Sequence, residues 1–370
     1  MTTTTWFTRS LPADTVEVPH SARFCRRHPG RNPGGTRSAG RLPMAQVPFH
    51  HQPVMLDEVI AVLGGGPAGL YVDCTLGGGG HTAALLDQRA DITALGIDRD
   101  ADAVTAATDR LAVHRDRVTI RRARFDSLPA LVGELGVGGV AGVLFDLGVS
   151  SPQFDRPDRG FSYRSEAALD MRMDTSSALT AHEIVNTWPA AALASLFAAN
   201  GEGRFARRIA ERIVAARPVD TTSRLADVVK DAIPAATRRT GGHPAKRVFQ
   251  ALRIEVNSEL EILPSSIDQA IDLLVPGGRC VVLSYHSGED RIVKDRFRHA
   301  ETGGCICPPK LPCGCGAVAT GRLLFRGGRT PTAAEIETNP RAESARLRAI
   351  EKLHPPATEP NDTPARGGTQ

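Results

Sequence analysis

Hydrophobic and polar positions alternate in rhythm along the chain. From Pro53 to Ile60 the apolar residues recur at helical spacing, and Tyr71-Val72 follows as a short aromatic and β-branched stretch. Ile92 to Ile97 forms an apolar run closed by Asp98, Ala101 to Leu111 predicts a helix, and Val118 to Ile120 a strand. Phe125-Asp126 reads as the loop after that strand, Leu128 to Leu135 as a short helix. Val140 to Phe145 is continuously apolar and ends at Asp146, the mark of a strand buried on both faces. Strands alternating with helices at these lengths predict an α/β fold with a doubly wound, mostly parallel sheet.

The rhythm then changes. Between about Ser150 and Ser258 only helical spacing remains, as in Phe205, Ile209 and Ile213, or Val248, Leu252, Val256 and Leu260. This predicts an all-helical insertion, residues 150–258, between the fourth and fifth strands. The sheet domain would comprise 48–149 and 259–354: a helix from Ser266 to Leu274, a turn at Pro276-Gly277-Gly278, a strand from Arg279 to Tyr285, and a helix from Glu289 to Arg298. A Cys/Gly/Pro-rich excursion from Cys305 to Arg329 and a last strand from Arg346 to Leu353 complete it. Residues 1–47 and 355–370 lack apolar periodicity and are expected to be disordered. Met44 opens the better-patterned sequence and is an alternative candidate start of translation.

Composition narrows the class only slightly. The 370 residues carry a net charge of +4, which permits a nucleic-acid partner without demanding one. No apolar run reaches membrane-spanning length and no secretory apolar core opens the chain, so the expected location is cytoplasmic. Of seven cysteines, Cys74 and Cys280 fall in predicted strands, Cys25 in the N-terminal tail, and four cluster late, which is no secreted disulfide framework.

The chemistry concentrates after Tyr71-Val72. Asp73 is followed by Thr75, four glycines from Gly77 to Gly80, and His81. Glycines let the chain turn sharply from strand to helix and lie against a ligand, while N–H groups at the helix start face its anionic part. Asp98 ends the next strand, near the spacing at which a carboxylate takes the hydroxyls of an adenosine ribose. The order lacks the G-x-G-x-x-G of dinucleotide sites and is closer to the first motif of S-adenosylmethionine methyltransferases. Ligands in such sheets bind beyond the carboxyl ends of the strands, which groups Gly79, Gly80, His81, Asp98, Phe125 and Asp146 on one edge.

Several ungapped blocks in order carry a closer resemblance: Asp73-x-Thr-Leu-Gly-x-Gly-Gly-His81, Asp98-Arg-Asp100, Asp146-Leu-Gly-Val-Ser-Ser-Pro-Gln153, Arg159-Gly-Phe161, Leu169-Asp-Met-Arg-Met-Asp174, Phe249-Gln-Ala-Leu-Arg-Ile-x-Val-Asn-Ser-Glu-Leu260 and His286-Ser-x-Glu-Asp-Arg291. From about His50 to Leu353 the chain resembles the MraW-type bacterial 16S rRNA (cytosine-N4)-methyltransferases. The resemblance implies a Rossmann-like class I fold, S-adenosyl-L-methionine as cofactor, and methylation of a cytidine in the decoding centre of 16S rRNA, within the small ribosomal subunit. It also implies cofactor contacts at Gly79, Gly80, His81, Asp98, Phe125, Asp146 and Gln153. The sequence departs from the family in having Gly288 where leucine is usual, and in its N-terminal extension.

Methyl transfer needs an acceptor held in line with the methyl group, and a conjugated exocyclic amine needs hydrogen-bond acceptors beside it. Related amine methyltransferases often place Asn/Asp-Pro-Pro-aromatic after the fourth strand; here Asp146-Leu-Gly-Val-Ser-Ser-Pro stands there. Asp146, Ser150, Ser151 and His286 are the candidate cytosine-pocket residues, while Ser287 and Asp290 read as a helix cap. RNA contacts are expected from Arg204, Arg207, Arg208 and Arg212 on one helix and Lys246, Arg247 and Arg253 on another. Few aromatics are available for stacking, which favours phosphate and shape contacts with one flipped base. Cys305, Cys307, Cys313 and Cys315 could supply a tetrahedral site, but their C-x-C spacing is tighter than that of the usual fingers and favours a reduced surface loop, so no metal is assigned. Two rival readings are an NAD-dependent oxidoreductase, disfavoured by the missing fingerprint, and a non-catalytic ribosome assembly factor, disfavoured by the intact glycine loop.

Overall fold

The computed structural model describes residues 53–148, 153, 156–235, 243–308 and 314–354. The two terminal segments, Met44, Cys25, Ser150, Ser151 and Cys313 lie outside the described residues. Seven strands form one sheet in the order β3-β2-β1-β4-β5-β7-β6. They are β1 Gly69–Asp73, β2 Ile92–Asp98, β3 Val118–Arg122, β4 Val140–Asp146, β5 Leu274–Ser284, β6 Gly321–Leu323 and β7 Arg346–Lys352. β1 to β5 run parallel, and β7 lies antiparallel between β5 and β6. The strand order reverses between β1 and β4, the switch point at which a doubly wound sheet opens a crevice.

Strand periodicity decides which side chain faces which layer. Val143 and Phe145 join one apolar cluster and Leu144 the other, so both faces of β4 are covered, as its apolar run predicts. Helices α1 (Leu56–Leu63), α2 (Gly80–Gln88) and α3 (Ala101–Arg110) belong to the layer around Leu144, while α4 (Leu128–Glu134) packs on the opposite face.

Between β4 and β5 come α5 (Ala181–Thr187), α6 (Ala190–Ala199), α7 (Ala206–Ala215), α8 (Thr222–Ala232), α9 (Ala245–Asn257) and α10 (Glu259–Leu273). The helices α5 to α9 bury their own apolar cluster, including Ile184, Phe197, Ile209, Ile213, Val229 and Leu252. α10 turns back to the sheet, and Ser258, at φ 49°, makes the sharp joint between α9 and α10. After β5 follow α11 (Ser287–Thr302) and α12 (Ala333–Thr338). Among the described residues no helix is long and apolar enough to cross a membrane.

Three local expectations change. The helix placed at Ser266 starts at Glu259, because Leu263, Ile267, Ala270 and Ile271 bury against the sheet and carry the helix through Pro264, which alone reads as a breaker. Pro276-Gly277-Gly278 is not a turn before the strand but an irregularity inside β5: Val140 pairs with Leu274, yet Gly142 already pairs with Arg279. The start of α11 is capped by His286, not by Ser287 with Asp290. The imidazole Nδ1 accepts the N–H groups of Gly288 (3.2 Å) and Glu289 (3.4 Å), while Asp290 is drawn off to Arg348 at 2.7 Å.

Candidate active site

The carboxyl ends of β1, β2, β4 and β5 deliver Asp73, Asp98, Asp146 and, one residue past β5, Tyr285 to the same edge. The glycine loop is shaped by these acids. Gly77 N–H donates to Asp98 Oδ2 at 2.8 Å, and Asp100 N–H donates to Asp98 Oδ1 at 2.9 Å. Gly79 sits at φ 72° as the residue before α2, a conformation that a side chain would strain. A Cβ on Gly78 would meet nothing within 4 Å, so the loop presents bare backbone there.

Below the loop Asp73 is buried and Asp146 half-buried. Asp73 accepts Thr82 Oγ1–H at 2.8 Å and Thr75 N–H at 3.2 Å, while Thr75 Oγ1 accepts Asp146 N–H at 2.6 Å. Burial raises Asp73 to about 6, against the opposing pull of His81 and Thr82. Burial likewise raises Asp146 to about 7; the bond from Tyr285 pulls it back and the buried Glu289 pushes it further up. Tyr285 Oη donates to Asp146 Oδ1 at 2.6 Å. Burial and the acid beside it push the phenol well above its ordinary value, so it stays a donor. Burial also pushes Asp98 up.

His81 lies under the same floor. Its Nε2 is 3.0 Å from the carbonyl of Val54, and its Nδ1 is 3.7 Å from Asp146 Oδ2. Burial pushes this imidazole below its ordinary value, so it is neutral near pH 7. With the Nε2 proton given to Val54, the lone pair of Nδ1 faces Asp146.

This edge suits a ligand that is cationic at one end and carries an adenosine at the other. Two carboxylates lifted by desolvation, one buried and one half-buried, gain from a fixed positive charge, as a sulfonium or an ammonium would supply. The bare loop and Asp98 offer the backbone surface and acceptor a ribose requires. Phe125 borders this region but is 9% exposed and packs edge-on against Phe145, with centroids 5.7 Å apart. Only the margin of its ring can meet a ligand.

The structure uses other candidates elsewhere. Gln153 donates to Asp100 Oδ2 at 2.8 Å, and Arg159 Nη2 pairs with the same oxygen at 3.0 Å. Arg159 also donates to the carbonyls of Arg172 and Met173, while Asn257 accepts Met173 N–H and donates to the carbonyl of Met171, both at 2.8 Å. Arg99 reaches the carbonyl of Asn257 at 2.7 Å. Residues from several of the sequence blocks thus build a buried polar latch that fastens the β2 end to the helices. His286 is tied into the cap of α11, with Nε2 3.1 Å from Glu289 Oε1. Despite burial, which pushes it up, Glu289 is held below its ordinary range by that ring and by Tyr285 N–H.

The cationic candidates divide. Arg207, Arg208 and Arg212 are exposed along α7 and Arg204 just before it; Arg207 pairs with Glu211 at 2.9 Å, and Arg204 lies over Phe205. Lys246 is exposed, and Arg247 reaches the buried Glu202 at 3.4 Å. Arg253 is a correction: it forms a bidentate pair with Glu259 at 3.0 and 2.9 Å, its side chain 15% exposed, so no phosphate can claim it. A cleft of about 410 Å³ beside Lys246 is lined by Tyr163, Arg164 and His243. There the Tyr163 and His243 rings stack 4.5 Å apart at 13°. Sequence reasoning missed this aromatic pair, since 80 residues separate its members, and missed Tyr285, whose partner Asp146 lies 139 residues away in the chain.

Comparison with known proteins shows the family. The MraW methylase family profile matches residues 48–353. A ribosomal RNA small subunit methyltransferase H of Brevibacillus brevis is 46% identical over 84% of this chain and 100% of its own length. That of Symbiobacterium thermophilum is 48% identical over 82% of this chain and 97% of its own, and that of Thermobifida fusca 50% identical over 83% and 94%. A profile match across most of the chain and near-full-length relatives at this identity mean that the chain belongs to the MraW methylase family and takes its methyl group from S-adenosyl-L-methionine.

Proposed function

We propose that this protein methylates the exocyclic N4 amine of a cytidine in the decoding centre of 16S rRNA, in the P-site region of the small ribosomal subunit. The observation that carries the reading is the half-buried, hydrogen-bonded Asp146–Tyr285 pair at the switch point, in a chain whose relatives are named small subunit rRNA methyltransferases.

S-adenosyl-L-methionine supplies a methyl group already on a good leaving group. The residues of the chain then have three tasks. Gly79, Gly80 and the start of α2 hold the methionine end, Asp98 takes the ribose hydroxyls, and the margin of Phe125 borders the adenine. Gln153 acts at one remove, holding Asp100 and through it the loop after β2. Asp146 accepts an N4–H from the cytosine, which turns the amine lone pair toward the methyl group and stabilises the charge that develops. A carboxylate poised at about 7 can also take the proton that the methylated amine must lose, with His81 Nδ1 behind it as a relay. Ser150, Ser151 and His286 remain candidates for the pocket wall, His286 through the cap it forms beside Tyr285.

The RNA is held by the helices between β4 and β5. Exposed Arg204, Arg207, Arg208 and Arg212, with Lys246 and Arg247, face phosphates, and the Tyr163–His243 stack offers a base platform. The test uses labelled cofactor with small subunits and with naked 16S rRNA, both from cells lacking the enzyme, followed by mapping of the modified nucleotide. Label at one cytidine N4 is expected. No label on either substrate would defeat the proposal.

A further inference from the structure

We propose that Cys305, Cys307 and Cys315 form a structural zinc site on the side of the sheet away from the active edge. The three sulfurs lie within 4.8 Å of one another, and those of Cys305 and Cys315 are 3.6 Å apart. Two thiolates each about 2.3 Å from a tetrahedral zinc stand about 3.8 Å apart, whereas a disulfide requires about 2.05 Å. A disulfide would also join two of the sulfurs and leave the third beside them unused. Three sulfurs gathered within 4.8 Å, one pair of them at 3.6 Å, suit one ion.

The backbone brings them there. α11 ends in two glycines in the left-handed region, Gly303 at φ 63° and Gly304 at φ 73°, so the chain doubles back. A Cβ on Gly303 would lie 2.4 Å from the carbonyl oxygen of Val318, and Thr320 N–H donates to the carbonyl of Ala300 at 2.8 Å. The loop is thus closed at its base. Above that base the described residues of the loop bury little apolar surface: Ile306 is 89% and Val318 63% exposed. Apolar side chains left this open contribute little to holding one shape, and a metal supplies a cross-link that does. On binding, each thiol loses its proton to solvent and no redox change occurs.

The position argues for structure over catalysis. α11 starts beside Tyr285 and its 16 residues carry the chain about 24 Å away. The cysteines follow its far end, near β6, whose Gly321 pairs with Lys352 at the end of β7 opposite the Ser284–Arg346 pair.

The experiment is metal analysis of the full chain, purified without a histidine tag under reducing conditions. About one zinc per chain is expected, released when a mercurial blocks the thiols. Cobalt exchanged into the wild type should show thiolate-to-metal charge-transfer absorption, and Cys305→Ser and Cys315→Ser should each retain zinc at least about tenfold less well against a chelator. Removing zinc should lower the melting temperature of the wild type and leave both variants unchanged. A wild-type chain below a tenth of a zinc, or cobalt bound without sulfur absorption, overturns the proposal even if the variants fold poorly. A Cys305–Cys315 disulfide in the zinc-free native protein does the same.

Discussion

Tyr285 Oη donates to Asp146 Oδ1 at 2.6 Å, tying the residue after β5 to the last residue of β4 across the switch point. The bond favours the ionised carboxylate and opposes the burial that lifts Asp146 to about 7. In Tyr285→Phe the carboxyl should therefore titrate still higher, and the acid limb of kcat should move to higher pH. Turnover near pH 7 should fall about tenfold or more, with cofactor affinity within a few-fold of wild type. Single-turnover rates across pH, with cofactor titrations in parallel, check this. An acid limb that stays in place would remove Asp146 as the group that must be ionised.

The same burial makes stability depend on pH in the cofactor-free protein. Asp146 rises from 3.8 to about 7 on folding and Asp73 from 3.8 to about 6. A carboxyl raised in the folded state adds stability that is fully present below the unfolded value and lost as pH rises through the folded one. Stability should thus decline between about pH 4 and pH 7, by on the order of 4 kcal/mol for Asp146. Asp146→Asn keeps a neutral side chain at every pH, so its melting temperature relative to wild type should climb by several degrees from pH 5 to pH 8. Added cofactor, which brings positive charge, should steady the wild type at pH 8. Parallel melting curves for the two proteins would sink the linkage.

His286 tests a boundary between capping and chemistry. His286→Ala removes the acceptor for two N–H groups of α11 and should cost about 1 kcal/mol; His286→Asn should restore most of it. If the residue also lines the cytosine pocket, turnover stays low in the asparagine variant while the melting temperature recovers. Recovery of both would leave the side chain a cap and nothing more.

How far the sequence could be read follows from the range of each interaction. The strands β1, β2 and β4 were legible because burial on both faces leaves uninterrupted apolar runs such as Val140 to Phe145. Asp73, Asp98 and Asp146 were legible as an edge because strand ends in a parallel sheet share one side. The Pro264 helix and the β5 irregularity were not, since each is local sequence overruled by packing against distant elements. Nor could Arg253 be told from Arg208: both flank apolar stripes, and only the fold sets Glu259 against one of them. Charge pairs across a helix joint and ring pairs across 80 residues leave no periodic trace.

Arg253 then gives a prediction opposite to that of a phosphate-binding arginine. Its removal strands the buried Glu259 carboxylate, and Arg253→Ala should lose about 3–5 kcal/mol of stability. The salt dependence of RNA binding should keep its slope at temperatures where the variant remains folded. Arg253→Ala/Glu259→Ala should be less destabilised than the single change, because no charge is then left alone. A flattened salt slope in a normally stable Arg253→Ala protein would return the residue to the RNA face.

On α7 the expectation reverses. Arg208 and Arg212 are exposed and make no ion pair among the described residues, and Arg207 holds only the solvent-exposed Glu211, a pair worth a few tenths of a kcal/mol. Arg207→Glu/Arg208→Glu should leave the melting temperature within about a degree or two and cofactor binding unchanged. It should weaken RNA binding at low salt and reduce the magnitude of the slope of log K against log salt by about one for each phosphate that is no longer neutralised. Tyr163→Ala should act differently: a base platform contributes by stacking, so affinity drops by a salt-independent factor of about ten or more while the slope holds. Binding isotherms at several salt concentrations separate the two behaviours. Unchanged slopes in the double arginine variant would move the RNA off α7, and an unchanged intercept in Tyr163→Ala would empty the cleft of its base.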